Sequence, residues 1–277
     1  MDNVERIFKD MELRRASTDT DYSVVMANDM IRGCSELSLN ELKLLRTIIM
    51  QIKPEDTELY PYMITVKDFQ EMLGVSEKYI YKEARKMCIH LLKEVILIGD
   101  GNPQHPWEAF QWVSMCKYDS GTFYIKLNDC LKPYVIGLQK FYTKFKLSDI
   151  VRLNSIYAIR LLELIYEAMK STSVYADQST EVYISLDTLR RATNTESKYK
   201  SINNWTKRVI KVPLEEINRK NEKYYISYRP YKKSRRIAGF YFLVESANWH
   251  RLKENDPEQA EQIAMEAYMK RMNETDK

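Results

Sequence analysis

Asn203, Asn204, Lys207, Arg208 and Lys211 fall within nine residues, in a stretch with no acid between Ser197 and Val212. Carboxamide, guanidinium and ammonium groups at such spacings on one helix hydrogen-bond to bases and to phosphate. Asn pairs with adenine in the major groove, and Arg or Lys with guanine or with phosphate. Lys198, Lys200 and Ser201 stand just upstream. Further on, Lys232, Lys233, Ser234, Arg235 and Arg236 place four cations in five positions. The first half of the chain has a weaker set: Ser76, Lys78, Tyr79, Lys82, Arg85 and Lys86, interleaved with Glu77 and Glu83. All of these are candidate DNA contacts. Those of the first half are expected to meet phosphate or another protein rather than read bases.

The formal net charge of the 277-residue chain is only +4, so total charge is uninformative. Its distribution is not. Residues 197–236 hold thirteen Lys and Arg against three acids, a net of +10, which leaves −6 for the remainder. Positive charge gathered in one place is what a polyanion site requires.

Catalytic signals are lacking. The sequence holds no GxxxxGK[ST] phosphate loop. His90, His105 and His250 are isolated, and no acidic cluster suits two metals. Cys34, Cys88, Cys116 and Cys130 have no CxxC spacing. They are expected to be reduced, mostly buried thiols. We therefore expect no enzyme activity, no metal and no cofactor. No apolar run has the length of a signal peptide or of a membrane span of ~18 residues, so a cytoplasmic setting without membrane contact is expected. The 20 tyrosines are read as packing residues rather than a base-stacking surface.

The elements that must position these groups follow from periodicity. Residues 1–20 read as a flexible arm and Tyr22–Met26 as a strand. Ser38-Leu39-Asn40-Glu41 is a capping box. It opens a helix with Leu42, Leu45, Ile49 and Ile52 on one apolar stripe. Met63–Val66 is extended, Lys67–Leu73 a short helix, Gly74 its end, and about Glu77 to Lys93 a longer helix. Val95–Ile98, Phe110–Tyr118 and Thr122–Leu127 read as strands, with Asp119-Ser120-Gly121 as a hairpin turn. A helix is expected from Asn128 to near Lys140.

The order then restarts. A helix spans Ser155–Lys170, Val182–Ile184 is a strand, Leu186–Thr193 a short helix and Asn194–Ser197 a turn. A long helix runs from Tyr199 to about Arg219, with Ile202, Trp205, Val209 and Val212 as its core face. Pro213 would cost roughly 3 kcal/mol inside a regular helix, so a kink is expected there. Strands Tyr224–Tyr228 and Gly239–Val244 flank the basic loop Arg229–Arg236. From Pro257 a charged helical tail is expected, with a weak stripe of Ala260, Ile263, Ala267 and Met272.

At an offset of 120, Ile64, Val66 and Phe69 match Ile184, Leu186 and Leu189 in kind. Gly74 aligns with Asn194, and Lys78-Tyr79 with Lys198-Tyr199. Internal duplication of a helix-turn-helix followed by a hairpin wing accounts for this. The expected organisation is α+β: an arm at 1–20, a first winged-helix domain at 21–143, a second at 144–247 and a tail at 248–277.

The chain resembles the iteron-binding initiator proteins of theta-replicating plasmids over roughly residues 22–245. The landmarks are Asn28 with Leu37–Glu41, then Phe141-Tyr142-Thr143-Lys144-Phe145-Lys146-Leu147, then Asn154 to Leu164. The strongest is Trp205-Thr206-Lys207-Arg208-Val209-Ile210-Lys211-Val212-Pro213-Leu214-Glu215-Glu216-Ile217-Asn218. The resemblance implies a tandem winged-helix fold. It implies binding to origin repeats and to the chain's own promoter, opening of the adjacent duplex, and recruitment of host replication proteins such as a helicase. It also implies a homodimer in equilibrium with monomer, with the second domain as main reader. The competing expectations are a winged-helix transcriptional regulator and a DNA-nicking or priming enzyme.

Overall fold

The computed structural model describes residues 12–73, 77–169 and 179–275, with side chains for all of these except 73, 77–82, 267, 268 and 270–275. Residues 1–11 of the expected arm, Gly74 and Ser76 lie outside the described residues, as do the side chains of Lys78, Tyr79, Lys82, Ala267 and Met272. The chain divides into two units, 1–156 and 157–277. Among the described residues no helix is long and apolar enough to cross a membrane.

The first unit runs β1 (Arg14–Arg15), β2 (Ser23–Ala27), α1 (Asn28–Arg32), α2 (Leu39–Met50), β3 (Tyr62–Thr65), α3 (Val66–Leu73), α4 (Glu77–Leu91), β4 (Val95–Ile98), β5 (Glu108–Gln111), β6 (Val113–Asp119), β7 (Thr122–Leu127), α5 (Lys132–Val135), β8 (Tyr142–Lys146) and α6 (Ser148–Val151). The capping box at Ser38 forms in both directions. The Glu41 amide donates to the Ser38 hydroxyl at 3.4 Å, and the Glu41 carboxylate accepts the Ser38 amide at 2.8 Å. The helix it starts is not amphipathic as expected. Lys43 and Arg46 are buried along with Leu42, Leu45 and Ile49, so α2 is a central helix enclosed on all sides.

Strand order in the main sheet is β1-β3-β7-β6. Asp119 pairs with Thr122, so Ser120 and Gly121 are the turn residues, at φ 46° and 80°. A two-residue turn with both centres left-handed matches the twist of its strands. The strand expected over Phe110–Tyr118 is two strands in different sheets, because β5 pairs with β4 while β6 pairs with β7. They part at the buried Trp112, whose amide donates to the Glu94 carbonyl. The helix expected to reach Lys140 ends at Val135. Beyond it β8 pairs with β2, so the 143/144 boundary expected from sequence falls inside this strand. The same pairing brings Asn28 to Thr143, whose hydroxyl donates to the Asn28 carboxamide at 2.9 Å. Residues 12–20 are not a loose arm. β1 runs parallel to β3, and Arg14 meets Asp56 at 2.7 Å and covers the Tyr60 ring at 3.5 Å.

The second unit runs α7 (Ile156–Met169), β9 (Ser179–Ser185), α8 (Leu186–Ala192), α9 (Ile202–Trp205), a π-helical turn (Thr206–Lys211), α10 (Val212–Lys220), β10 (Tyr224–Lys233), β11 (Arg236–Ser246), α11 (Ala247–Asn255) and α12 (Pro257–Thr275). β11 is the central strand between β10 and β9. Alternation along it points Phe240, Phe242 and Val244 inward beside Val182, Ile184 and Ile226. The opposite face carries Tyr183, Tyr231 and Tyr241, ring centres 5.2–5.7 Å apart. α11 falls in the tail expected from 248, which is helical from Ala247, ahead of Pro257. In the tail helix Ala260 is buried, and Ile263 is exposed with Met265 and Met269. Both units therefore share the order strand, short helix, second helix, hairpin. The first unit adds β4–β5 before its hairpin.

Gly239 lies under the Tyr183 ring. A Cβ there would meet the Ile184 carbonyl oxygen and the ring, each at 2.6 Å. The backbone oxygen cannot step aside. Gly239→Ala is expected to lose about 1–3 kcal/mol by overpacking, measured as a lower urea midpoint. A midpoint equal to the parent's would mean the strands part there without penalty.

Candidate nucleic-acid interface

The presentation of the basic segment begins with a turn that only certain residues tolerate. After α8 the chain reverses at Asn194, whose φ is 51°. That left-handed conformation suits Asn better than most side chains. The reversal buries Thr195, and its hydroxyl accepts the Trp205 indole N–H at 2.7 Å. Thr193 hydrogen-bonds the same hydroxyl at 2.9 Å. Arg190 donates to the Thr195 carbonyl at 3.0 Å and lies 5.1 Å from the Trp205 ring centre. Trp205 is 0% exposed and packs on Phe240. The indole thus seats the helix that begins at Ile202 between the turn and the sheet.

The helix starts later than expected. Tyr199 has φ 54°, so Lys200 and Ser201 lie with Lys198 in the turn before it rather than on it. Tyr199 is held by Tyr157, hydroxyl to hydroxyl at 3.2 Å. Burial, with that hydrogen bond, pushes the Tyr157 hydroxyl up to about 12. The Tyr157 hydroxyl therefore stays uncharged near neutral pH. The match of Lys78-Tyr79 with Lys198-Tyr199 does not hold as geometry, because α4 has already begun at Glu77.

The middle of this helix is π-helical, over Thr206–Lys211. One more residue per hydrogen-bonded turn rotates everything after it. Trp205, Val209 and Ile210 point inward, followed by Pro213, Leu214 and Ile217. Val212, expected in the core, is 48% exposed. Pro213 stands in the first turn of α10, where a missing N–H leaves nothing unpaired. The expected irregularity at Pro213 is thus present, but as a widened turn just before it.

Asn203, Asn204, Lys207, Arg208 and Lys211 share the exposed face. Arg208 is oriented from two sides. Its guanidinium donates to Asn204 at 3.0 Å and lies 5.5 Å from the Tyr199 ring centre. Lys211 stands 4.0 Å from Glu215. Lys207 engages no ion pair among the described residues.

The basic loop is largely not a loop. β10 extends to Lys233 and β11 begins at Arg236, leaving Ser234 and Arg235 alone as the turn, at φ 49° and 70°. Side chains with a Cβ are strained in that conformation. A register shift between Tyr231 and Lys232 bends the hairpin below its tip. Lys232, Lys233, Ser234, Arg235 and Arg236 are all exposed. Arg229 is neutralised by Glu181, in two hydrogen bonds of 2.8 and 3.0 Å.

In the first unit, Arg85 and Lys86 are exposed on α4, and Lys86 pairs with Glu83 at 3.1 Å. Among the described residues no group of His, Cys, Asp and Glu could hold a metal ion. The positioning roles of Thr195, Arg190 and Tyr157 were missed from the sequence. Only a polar residue directly after the left-handed Asn194 signals the first of them.

Two sequence families match the chain. One, described as "Initiator Replication protein, WH1", covers residues 23–166, and the other, "Initiator Rep protein, WH2", covers residues 185–244. A solved structure of the Pi initiator protein in complex with iteron DNA is similar in fold. It has a TM-score of 0.68 and 17% identity, covering 82% of this chain and 98% of that one. Domains 2 and 3 of RctB give a TM-score of 0.46 at 7% identity, over 76% of this chain and 82% of that one.

Removing the Thr195 hydroxyl leaves a buried indole N–H unpaired. Thr195→Val is expected to lose about 1–3 kcal/mol, and Thr195→Ser distinctly less. Chemical denaturation of both variants checks this. A Val variant as stable as the Ser variant would show that the hydroxyl does not hold the indole.

Proposed function

We propose, from the premise that this chain belongs to the initiator replication protein family with its WH1 and WH2 domains, that it starts plasmid replication by binding repeated sequences at an origin. The observation that carries this is the exposed row of Asn203, Asn204, Lys207, Arg208 and Lys211, seated by a buried tryptophan and flanked by a cationic hairpin tip. A helix of this width enters the major groove, with its N-terminal part nearest the base edges. Arg208, already oriented, suits a guanine edge. Lys198, Lys200 and Ser201 precede the helix, where phosphate is the natural partner. Lys232, Lys233, Arg235 and Arg236 would reach the backbone beside the same groove. The fold shared with the Pi initiator protein, solved with iteron DNA, supports repeats as the target.

On this reading the second unit is the main reader. The first, through Ser76, Lys78, Tyr79, Lys82, Arg85 and Lys86, adds phosphate contacts or carries a dimer interface. Opening of adjacent duplex, binding to the chain's own promoter, a helicase or other host replication protein as partner, and a dimer in equilibrium with monomer complete the proposal. The role is one of binding without a chemical step, in the cytoplasm where the plasmid resides.

Footprinting on the DNA flanking the gene, with excess competitor, tests the reading. Protected repeats spaced by about one or two helical turns are expected. A single protected palindrome at the promoter would favour a transcriptional regulator instead. Replacing Lys232, Lys233, Arg235 and Arg236 with Ala is expected to flatten the log–log salt dependence of binding, by up to ~0.9 for each phosphate no longer neutralised. An unchanged slope would place the hairpin tip away from DNA.

A further inference from the structure

Two thiols in the first unit are unused by any role described so far. Cys88 lies on α4 and Cys116 on β6, and both are free. Their sulfurs stand 2.7 Å apart. That is well inside ordinary van der Waals contact, and less than an ångström of approach separates it from the bond length of about 2.05 Å. The expectation of mostly buried thiols fails for the four as a set. Cys130 is exposed, Cys34 and Cys116 are intermediate, and only Cys88 is buried. Cys88 and Cys116 differ from the other two in facing each other across a helix and a strand.

We propose that Cys88 and Cys116 form an oxidation site, which a small hydroperoxide converts to an intramolecular disulfide tying the second helix of the first unit to its sheet. The hydrogen bond donated by the Cys116 thiol holds the Cys88 thiol below its usual range. The same bond, with burial, holds the Cys116 thiol above its own. With the sulfurs in contact, either thiol can be oxidised first and the other resolve it. With Cys88 oxidised first, its thiolate attacks one oxygen of the peroxide. The O–O bond breaks, hydroxide leaves, and a sulfenic acid remains on Cys88. The Cys116 sulfur then attacks the Cys88 sulfur. The S–O bond breaks, and the leaving hydroxyl takes the Cys116 proton and departs as water. The two cysteines lose two electrons in total and the peroxide gains them. Cys88 is 6% exposed, which favours a small oxidant over a bulky disulfide. The bond would fix the part of α4 that presents Arg85 and Lys86.

The test uses the full chain with all four cysteines, treated with hydrogen peroxide, quenched, unfolded and alkylated. The expected product is a tryptic species joining 87–93 to 94–117 through sulfur, about 2 Da lighter than the two reduced peptides together and released by dithiothreitol. Its formation should raise Tm by about 5 °C or more, since it closes a ring of about 30 residues. Cys88→Ser and Cys116→Ser should each abolish both the species and the rise. Full alkylation of Cys88 and Cys116 after peroxide, or their recovery as separate sulfinic acids, would overturn the proposal. Neither result bears on DNA binding by the second unit, so origin-repeat binding stands or falls by its own footprint.

Discussion

The hydrogen bond from the Trp205 indole to the Thr195 hydroxyl, 2.7 Å long and fully buried, is the joint on which the second unit's surface depends. A buried indole N–H without an acceptor is expensive, so the indole can dock only where Thr195 waits. Thr195 in turn is brought inward by the left-handed Asn194 and held by Arg190 and Thr193. Once the indole is fixed against Phe240, the rotation of the helix about its own axis is fixed too. Which residues face solvent is then no longer free. Asn203, Asn204, Lys207, Arg208 and Lys211 are outside because Trp205, Val209 and Ile210 are inside.

The π-helical turn extends that control past Pro213. In a regular helix the proline ring would press on the carbonyl four residues back and leave it without a donor. Thr206–Lys211 widens instead, and α10 starts afresh with the proline in its first turn. The inserted residue moves Val212 outward and carries Leu214 and Ile217 into the core. The same device lets one stretch of chain present cations early and pack hydrophobes late. Neither half has to accommodate the other's periodicity.

Legibility in the sequence followed the range of the interaction. The capping box at Ser38 and the Ser120-Gly121 turn are local, and both were read correctly from a few residues. The order of elements was legible because each has its own periodicity. What depended on partners far away was not. The strand β8, whose partner β2 lies over 100 residues away, left no local mark that distinguished it from loop. Nor did the burial of Lys43 and Arg46, which follows from α2 being surrounded. Val212 was misplaced because a constant helical period was assumed through Thr206–Lys211, where the helix widens. The candidate contacts were legible as a charge cluster. Their division between turn, helix and hairpin tip was not, since Tyr199 and Ser234–Arg235 adopt conformations their residue types do not favour.

That division separates two kinds of cation. Arg208 is held by Asn204 and Tyr199, so little side-chain freedom remains to be lost when it meets a planar acceptor. A preorganised guanidinium favours one geometry over others, which is how sequence is discriminated. The hairpin-tip cations have no such support. They sit on a narrow two-stranded projection whose turn residues are strained, and they face water. Charges of that sort gain from releasing counterions whatever the sequence beneath them. Affinity and discrimination would then come from different parts of one unit, the first falling steeply with salt and the second set by the seat of a single tryptophan. Glu181 sharpens the boundary, because by neutralising Arg229 it leaves the positive charge of the hairpin at its tip.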